Sequence, residues 1–257
     1  MTVCAVQPEL QSEERIAEER TEGAASVDVV ASRELGKEID DRRILRDINI
    51  RIGSGDFTAL LGANGAGKTT LLKIIATLIP ASEGTIELFG TRLTRENGAV
   101  RSRIGLIGHG MMLYRDLGIL DNLLFFGRLY GVRNPRQRAE VLLEQVGLHH
   151  RRFDAVGTLS RGMAQRASIA RALMHDPELL LADEPFAGLD APSAAMLEGV
   201  LQRLNESGKT IVLVNHNVGQ SLELAGRAVV LRQGRVVIDA AAEELTTGEV
   251  LKEVGGS

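Results

Sequence analysis

One stretch of this sequence combines glycines, a lysine and threonines at a spacing that suits phosphate binding. It runs Gly62-Ala63-Asn64-Gly65-Ala66-Gly67-Lys68-Thr69-Thr70. An apolar run at 57–61 precedes it and helically spaced residues 71–76 follow it, so the loop joins a strand to a helix. There the glycines let backbone N–H groups turn toward phosphate oxygens, and the helix N-terminus adds the positive end of its dipole. The sequence therefore predicts a nucleoside triphosphate site, with Lys68 on the β- and γ-phosphates and Thr69 on Mg²⁺.

A second stretch ends an apolar strand in two acidic residues. The run 179–182 is Leu-Leu-Leu-Ala, and Asp183, Glu184 and Pro185 follow it directly. The carboxyl ends of parallel strands meet at one edge of a sheet, so we expect Asp183 beside the phosphate loop, holding Mg²⁺ directly or through water. Glu184 is then placed to polarise an attacking water, as a general base or as an orienting group. A surface turn beginning Asp-Glu-Pro is the alternative, but it does not explain the apolar run.

A third stretch, residues 159–173, has the pattern of an amphipathic helix. Ser160 is suited to cap its N-terminus, and Gly162 leaves the first turn open to an anion. Taken alone, this stretch is explained equally well as an ordinary capped helix.

Composition narrows the class of protein. A hydrophobic content of 44% and a charged content of 25% are typical of a globular protein, and a net charge of −4 gives no general affinity for nucleic acid. The one cysteine, Cys4, cannot build a disulfide framework, which fits a reducing cytosolic setting. We see no secretory signal and no apolar stretch approaching the roughly 18 residues of a membrane helix, so a separate chain would have to supply any membrane part.

The pattern of strands and helices predicts an α/β fold. Solidly apolar strands and an alternating strand at 48–52 indicate a mainly parallel core sheet beside an antiparallel β layer. Residues 117–175 lose strand character and predict an inserted α-helical subdomain. We expect residues 1–25 to be a disordered acidic tail and residues 26–257 to form one domain with a phosphate loop.

These stretches together resemble the nucleotide-binding subunits of ATP-binding-cassette (ABC) transporters. Phe186-Ala187-Gly188-Leu189-Asp190 is similar to the family's D-loop, and His216 to its switch histidine. The resemblance implies a P-loop ATPase with Glu184 and His216 as catalytic residues. It also implies that two copies pair head to tail around two ATP molecules, each copy offering Ser160, Arg161 and Gly162 to the other's ATP. Further implications are integral membrane transporter subunits as partners, no nucleic acid partner, and a peripheral position on the cytoplasmic face of the inner membrane.

Three positions depart from the family pattern. The segment 159–163 is Leu-Ser-Arg-Gly-Met where the family usually has Leu-Ser-Gly-Gly-Gln, and His109 stands where a nucleotide-site glutamine is usual. The aromatic residue that usually stacks on adenine is missing, since nothing between Val27 and Leu45 is aromatic. Ile39 is the expected substitute.

The departures bear on the cargo. The Ile-Gly-His segment at 107–109, the Ser-Arg-Gly-Met signature and residues 114–126 are similar to the haem-exporter ATPase subunit of cytochrome c maturation. This implies haem export or release, with haem handled by other subunits: the chain has no Cys-x-x-Cys-His motif, and we expect no direct haem binding. The alternatives are the ATPase of another exporter, for a drug, polysaccharide or sodium, and a soluble ABC ATPase such as one for iron–sulfur assembly.

Overall fold

The structure is a computed structural model that describes residues 28–94, 98–108, 110 and 112–255. The tail expected at 1–25 and the position of His109 lie outside the described residues. The strands are β1 (Asp28–Ile39), β2 (Arg42–Ile48), β3 (Arg51–Gly53), β4 (Phe57–Gly62), β5 (Glu83–Leu88), β6 (Thr91–Arg92), β7 (Ile104–Ile107), β8 (Leu179–Asp183), β9 (Thr210–Val214), β10 (Arg227–Arg232) and β11 (Arg235–Ala241). The helices are α1 (Lys68–Ile75), α2 (Gly98–Arg101), α3 (Ile119–Leu129), α4 (Pro135–Gln145), α5 (Arg161–Ala172), α6 (Ala191–Glu206), α7 (Val218–Leu224) and α8 (Thr247–Gly255). Short 3₁₀ turns occupy His149–Arg151, Val156–Thr158 and Ala242–Glu244.

The core sheet has the strand order β11-β10-β4-β9-β8-β7. Every pair is parallel except the β10–β11 hairpin at one edge. Each residue of β4, β8 and β9 is buried, which explains why their sequences are continuous rather than alternating apolar runs. Because these three strands are parallel neighbours, the residues that follow them emerge at the same edge of the sheet.

An antiparallel layer has the order β2-β1-β5-β6, with β3 paired to β1. The predicted single strand at 48–52 is wrong, because β2 ends at Ile48 and β3 begins at Arg51. Buried Ser32 spans the break: its hydroxyl donates to the Ile48 carbonyl at 2.9 Å and accepts from the Ile50 N–H at 3.1 Å. The long strand β1 thus changes partner part-way along, which period-two alternation alone does not reveal.

Helices α3, α4 and α5 lie between β7 and β8, in the stretch where the sequence predicts helices. Their shared core includes Leu123, Leu142 and Ile169, each almost inaccessible to solvent. Asn122 is fully buried and ties the loop before α3 to that helix, because its side chain accepts from the Tyr114 N–H and donates to the Tyr114 carbonyl. A buried amide satisfied in this way fixes the loop without leaving an unpaired polar group.

Gly84, the second residue of β5, gives a test of the antiparallel layer. Gly84 has φ +71°, and a Cβ there would lie 2.2 Å from the Glu34 carbonyl oxygen. Gly84→Ala should lower the free energy of unfolding by about 3 kcal/mol, combining backbone strain with overlap. Gly90→Ala is the matched control, since Gly90 has φ +73° but open space around it, and it should cost about 1 kcal/mol. Urea unfolding measures both, and equal losses would contradict the close approach of β5 to β1.

Candidate functional site

The predicted phosphate loop connects β4 to α1. Gly62 has φ +148°, and a Cβ there would lie 2.3 Å from the Leu231 carbonyl oxygen of β10. Gly67 has φ +105° and stands at the N-cap of α1 without a side chain to cap it. The glycines therefore allow a close fit against β10 and leave the first-turn N–H groups of α1 facing the loop's cavity, an arrangement that suits an anion.

Lys68 is buried within this loop, with only 6% of its surface exposed. Its Nζ donates to the carbonyl oxygens of Gly62 at 2.7 Å and Ala63 at 2.9 Å. Burial lowers the pKa of Lys68, and the carboxylates of Glu184 and Asp183 act in the opposite direction. A phosphate in the cavity would compensate for the desolvation of this ammonium group.

Thr69 and Asp183 meet where α1 begins and β8 ends. The Thr69 hydroxyl donates to Asp183 Oδ1 at 3.2 Å, and Asp183 is buried. Hydroxyl and carboxylate oxygens are the donors that Mg²⁺ prefers, and Mg²⁺ usually takes few protein ligands and completes its shell with water and phosphate oxygens. Within the described part of the chain, no group of three or more His, Cys, Asp and Glu residues could hold a metal. The pair fits Mg²⁺ bound together with a triphosphate.

Glu184 and His216 lie at the ends of neighbouring strands and contact each other directly. His216 Nε2 is 2.6 Å from Glu184 Oε1. The Glu184 N–H donates to the Val214 carbonyl at 2.9 Å, and its backbone has φ +52°. A non-glycine residue in this conformation is strained, and such strain concentrates at functional sites. The backbone thus holds the carboxylate at the mouth of the loop.

A cavity of about 250 Å³ brings these groups together. It is lined by Ile44, Asn64, Gly65, Gly67, Lys68, Thr69, Thr70, Glu184 and His216. Ile39, the expected substitute for the adenine-stacking aromatic residue, ends β1, is 41% exposed and does not line this cavity, so its role stays a prediction. Ile44 lines the cavity, since the turn at Asp40-Asp41 folds β2 back so that residues 44 and 45 pack on Gly67. That hairpin is the signal in the sequence that would have pointed to Ile44.

Ser160, Arg161 and Gly162, expected to contact the ATP of a second copy, lie away from the 250 Å³ cavity. Ser160 caps α5, its hydroxyl accepting from the Met163 N–H at 3.3 Å. Gly162 lies against α6, where a Cβ would be 2.5 Å from Ser193 Oγ, and the Arg161 guanidinium lies over Gly188. None of Ser160, Arg161 and Gly162 lines the 250 Å³ cavity. Within one chain, the start of α5 and the phosphate loop are therefore separate.

A second cavity of about 390 Å³ joins the helical insertion to the core. Gly108, Arg115, Arg161, Gln165 and Glu184 are among the residues that line it. Glu184 thus borders both cavities. His109, expected at the glutamine position, is not described, but its neighbour Gly108 is part of this wall.

A model of the family described as "ABC transporter" matches residues 45–187, more than half of the chain. The chain belongs to the ABC transporter family. The matched region holds the phosphate loop, the start of α5 and the Asp183–Glu184 pair. The family and the site geometry agree on the predicted activity: this ABC transporter chain is an ATP-binding and ATP-hydrolysing subunit.

Curated relatives extend the match over most of the chain. An ABC transporter ATP-binding protein NatA of Bacillus subtilis (strain 168) is 36% identical, covering 80% of this chain and 85% of the relative. A daunorubicin resistance ATP-binding protein of Streptomyces coeruleorubidus is 38% identical, covering 85% and 72%. A Nod factor export ATP-binding protein of Paraburkholderia xenovorans (strain LB400) is 34% identical, covering 83% and 71%.

Solved structures confirm the predicted fold of the ABC ATPase. An ATP-binding subunit of an ABC transporter has a TM-score of 0.80 at 26% identity, covering 88% of this chain and 99% of the other. A dimeric ATP-binding cassette in a post-hydrolysis state, bound to ADP and Pi, has a TM-score of 0.75 at 27% identity, covering 83% and 98%. In the described residues of this ABC chain, no helix has the length and apolarity needed to cross a bilayer.

Lys68→Ala tests the phosphate site. Because it removes a buried ammonium group from the loop, we expect nucleotide affinity to fall about 100-fold or more. Lys73→Ala is the matched control, since Lys73 is an exposed lysine of the same helix. Titration with a fluorescent ATP analogue measures both variants, and an unchanged dissociation constant for Lys68→Ala would contradict the site.

Proposed function

We propose that this chain supplies an exporter with the energy of ATP hydrolysis. The residues around the 250 Å³ cavity would bind ATP and Mg²⁺ and hydrolyse the ATP. The observation that carries the ATP-hydrolysing part of the proposal is the convergence of Lys68, the Thr69–Asp183 pair and the Glu184–His216 pair on one cavity. These groups come from two strand ends and one helix start, and together they supply what triphosphate hydrolysis needs. The export part rests on relatives named for daunorubicin resistance and Nod factor export.

ATP binding is assigned to the loop 62–70 and α1. The backbone N–H groups at the start of α1 would donate to the β- and γ-phosphates, and Lys68 would turn part of its hydrogen bonding from the loop carbonyls to phosphate oxygens. Thr69 and Asp183 would hold Mg²⁺. When bound, that ion neutralises phosphate charge and fixes the geometry of the triphosphate.

Hydrolysis is assigned to Glu184 and His216. Glu184 would accept a proton from, or orient, the water that attacks the γ-phosphorus, because its carboxylate stands at the mouth of the loop. His216 would hold Glu184 through the 2.6 Å contact and would contact the γ-phosphate. The hydrogen bond from the Glu184 N–H to the Val214 carbonyl and the contact with His216 support this assignment, since they hold Glu184 in place before substrate arrives.

A second copy of the chain would complete the site. Ser160 and Arg161 are exposed, and the start of α5 lies apart from its own chain's phosphate loop. The first turn of α5 would meet the γ-phosphate bound by the other copy, because the start of a helix suits an anion. The dimeric cassette among the structural relatives supports a homodimer around two ATP molecules.

The partners we propose are integral membrane subunits, with this chain peripheral on the cytoplasmic face of the inner membrane. The exposed aromatic residues Tyr114 and Phe125, which contact each other edge to face, offer apolar surface on the helical insertion. No nucleic acid and no directly bound haem are part of this proposal.

For cargo, we propose an organic small molecule exported from the cell. Two of the relatives are named for daunorubicin resistance and for Nod factor export, and neither name mentions haem. Haem export is the second candidate. It rests on residues 107–109 and on the Ser-Arg-Gly-Met signature at 160–163.

Glu184→Gln tests the hydrolysis step. The amide keeps the shape of the side chain but cannot accept a proton, so ATP binding should persist while turnover falls about 100-fold or more. The variant should also elute as an ATP-dependent dimer on size exclusion. Glu206→Gln, an exposed change in α6, is the control and should hydrolyse ATP normally. Normal turnover by Glu184→Gln would remove Glu184 from the general-base role.

A deletion strain separates the two cargo candidates. If an organic small molecule is exported, loss of the chain should raise sensitivity to daunorubicin and leave covalent c-type cytochromes at their normal level. If haem is exported, the cytochromes should disappear instead. Complementation with the wild-type chain should restore the phenotype and complementation with Lys68→Ala should not, which ties the phenotype to ATP binding. A strain that shows neither phenotype would contradict a daunorubicin-like cargo and a haem cargo alike.

A further inference from the structure

Three polar side chains form a continuous hydrogen-bonded relay that ends on the backbone of His216. Glu198 of α6 accepts from Gln220 Nε2 of α7 at 2.5 Å. Gln220 Oε1 accepts from Asn215 Nδ2 at 2.9 Å. Asn215 Oδ1 accepts from the His216 N–H at 2.9 Å. We propose that this relay of Glu198, Gln220 and Asn215 positions His216 against Glu184, and so sets the rate of ATP hydrolysis.

The carboxylate of Glu198 fixes the direction of every bond in the relay. An ionised carboxylate only accepts, so Gln220 must present its NH₂ group to Glu198 and its oxygen to Asn215. Asn215 must then donate with its NH₂ group, which leaves its oxygen for the His216 N–H. One charge on α6 therefore determines the orientation of two amides and holds the histidine backbone at the end of β9.

His216 depends on such support because, among the described contacts of its side chain, the contact with Glu184 is the main one. Its side chain is 48% exposed, so packing does not fix its rotamer, whereas Asn215 is only 7% exposed. Gln220 is anchored at its own backbone, where its N–H donates to Asn217, the N-cap residue of α7. In a capping box its side chain would reach back to the N-cap N–H. Here it joins α6 to the loop after β9 instead.

The relay makes Glu198, Gln220 and Asn215 positioning residues, since the described contacts of their side chains are with each other and with the backbone of His216 rather than with the phosphate loop. Misplacing a group by about 1 Å can cost up to 100-fold in rate. Gln220→Glu should therefore lower kcat by roughly 10- to 100-fold, because two carboxylates would then face each other across the relay. The KM for ATP should change little, since the phosphate loop is untouched.

The decisive variant is the exchange Glu198→Gln with Gln220→Glu. In that double variant the new carboxylate at position 220 accepts from the new amide at position 198 and from the amide of Asn215. The order of donors and acceptors toward His216 is thereby restored. We expect kcat to recover to within about threefold of wild type, although Gln220→Glu alone lowers it.

If Gln220→Glu lowered kcat only by destabilising the fold, adding Glu198→Gln would not restore kcat. Failure of the exchange to restore kcat, with the single and double variants all folded by thermal melting, would overturn the relay.

A second measurement links the relay to the histidine. Gln220→Leu should lower kcat in the wild-type background but have almost no further effect in His216→Ala, because the relay acts through His216. Multiplicative losses would overturn the proposal. Gln202→Leu on α6, an exposed position, is the matched control and should leave kcat unchanged.

This proposal rests on the catalytic role proposed for His216, and the two fail differently. If His216→Ala hydrolyses ATP at the wild-type rate, the role of His216 is wrong. If His216→Ala is slow but Gln220→Glu and Gln220→Leu are not, the role of His216 stands and the relay is wrong.

Discussion

Parallel pairing of β4, β9 and β8 is the constraint on which the site depends. Leu60 of β4 is paired with Val214 of β9, and Val214 is also paired with Asp183 of β8. In this register the phosphate loop, the Asp183–Glu184 pair and His216 all leave the sheet at one edge within a few residues of each other. A shift of one residue between β8 and β9 would turn Asp183 toward the opposite face of the sheet and separate Glu184 from His216.

The register is held by apolar burial, because every residue of β8 and of β9 is buried. The proposed catalytic groups, Glu184 and His216, are held differently. Glu184 relies on a left-handed backbone and on the Val214 carbonyl, and His216 on polar contacts at the loop after β9. A rigid sheet thus brings the strand ends to the right place, and local hydrogen bonds determine the last ångström.

The motif-bearing parts were predictable from sequence because each couples a strand to a functional residue. Each of four residues lies next to an apolar run that is typical of a buried strand: Lys68, Thr69, Asp183 and Glu184. The structure brings all four together at one edge of the core sheet. The antiparallel layer was less predictable. The break at 49–50 depends on the buried hydroxyl of Ser32, 16 and 18 residues away from its partners, and no local pattern signals that contact.

Ile44 and Gln220 escaped the sequence analysis for a related reason. Ile44 reaches the cavity because β1 and β2 turn at residues 40–41, where both aspartates have positive φ. Asp tolerates this conformation, but the presence of Asp in a sequence does not predict it. Gln220 belongs to none of the sequence motifs, and the side chain of a glutamine on a short helix would ordinarily be exposed to solvent. Its proposed role in the relay, like the position of Ile44 at the cavity, arises from which strand ends and helices the fold places side by side.

The same topology supports the proposed division of the site between two copies of the chain. The start of α5 is fixed by its packing on α6 at Gly162 and Ser193, and by Arg161 over Gly188. These contacts hold it on the flank of the D-loop, so it cannot turn inward to its own cavity without losing them. The first turn of α5 is held in place, suits an anion and lies apart from the phosphate loop of its own chain. It is therefore suited to contact ATP bound by a second copy. If two chains divide the site as proposed, ATP itself would be part of the interface, and hydrolysis would weaken that interface by removing the γ-phosphate that both chains would contact.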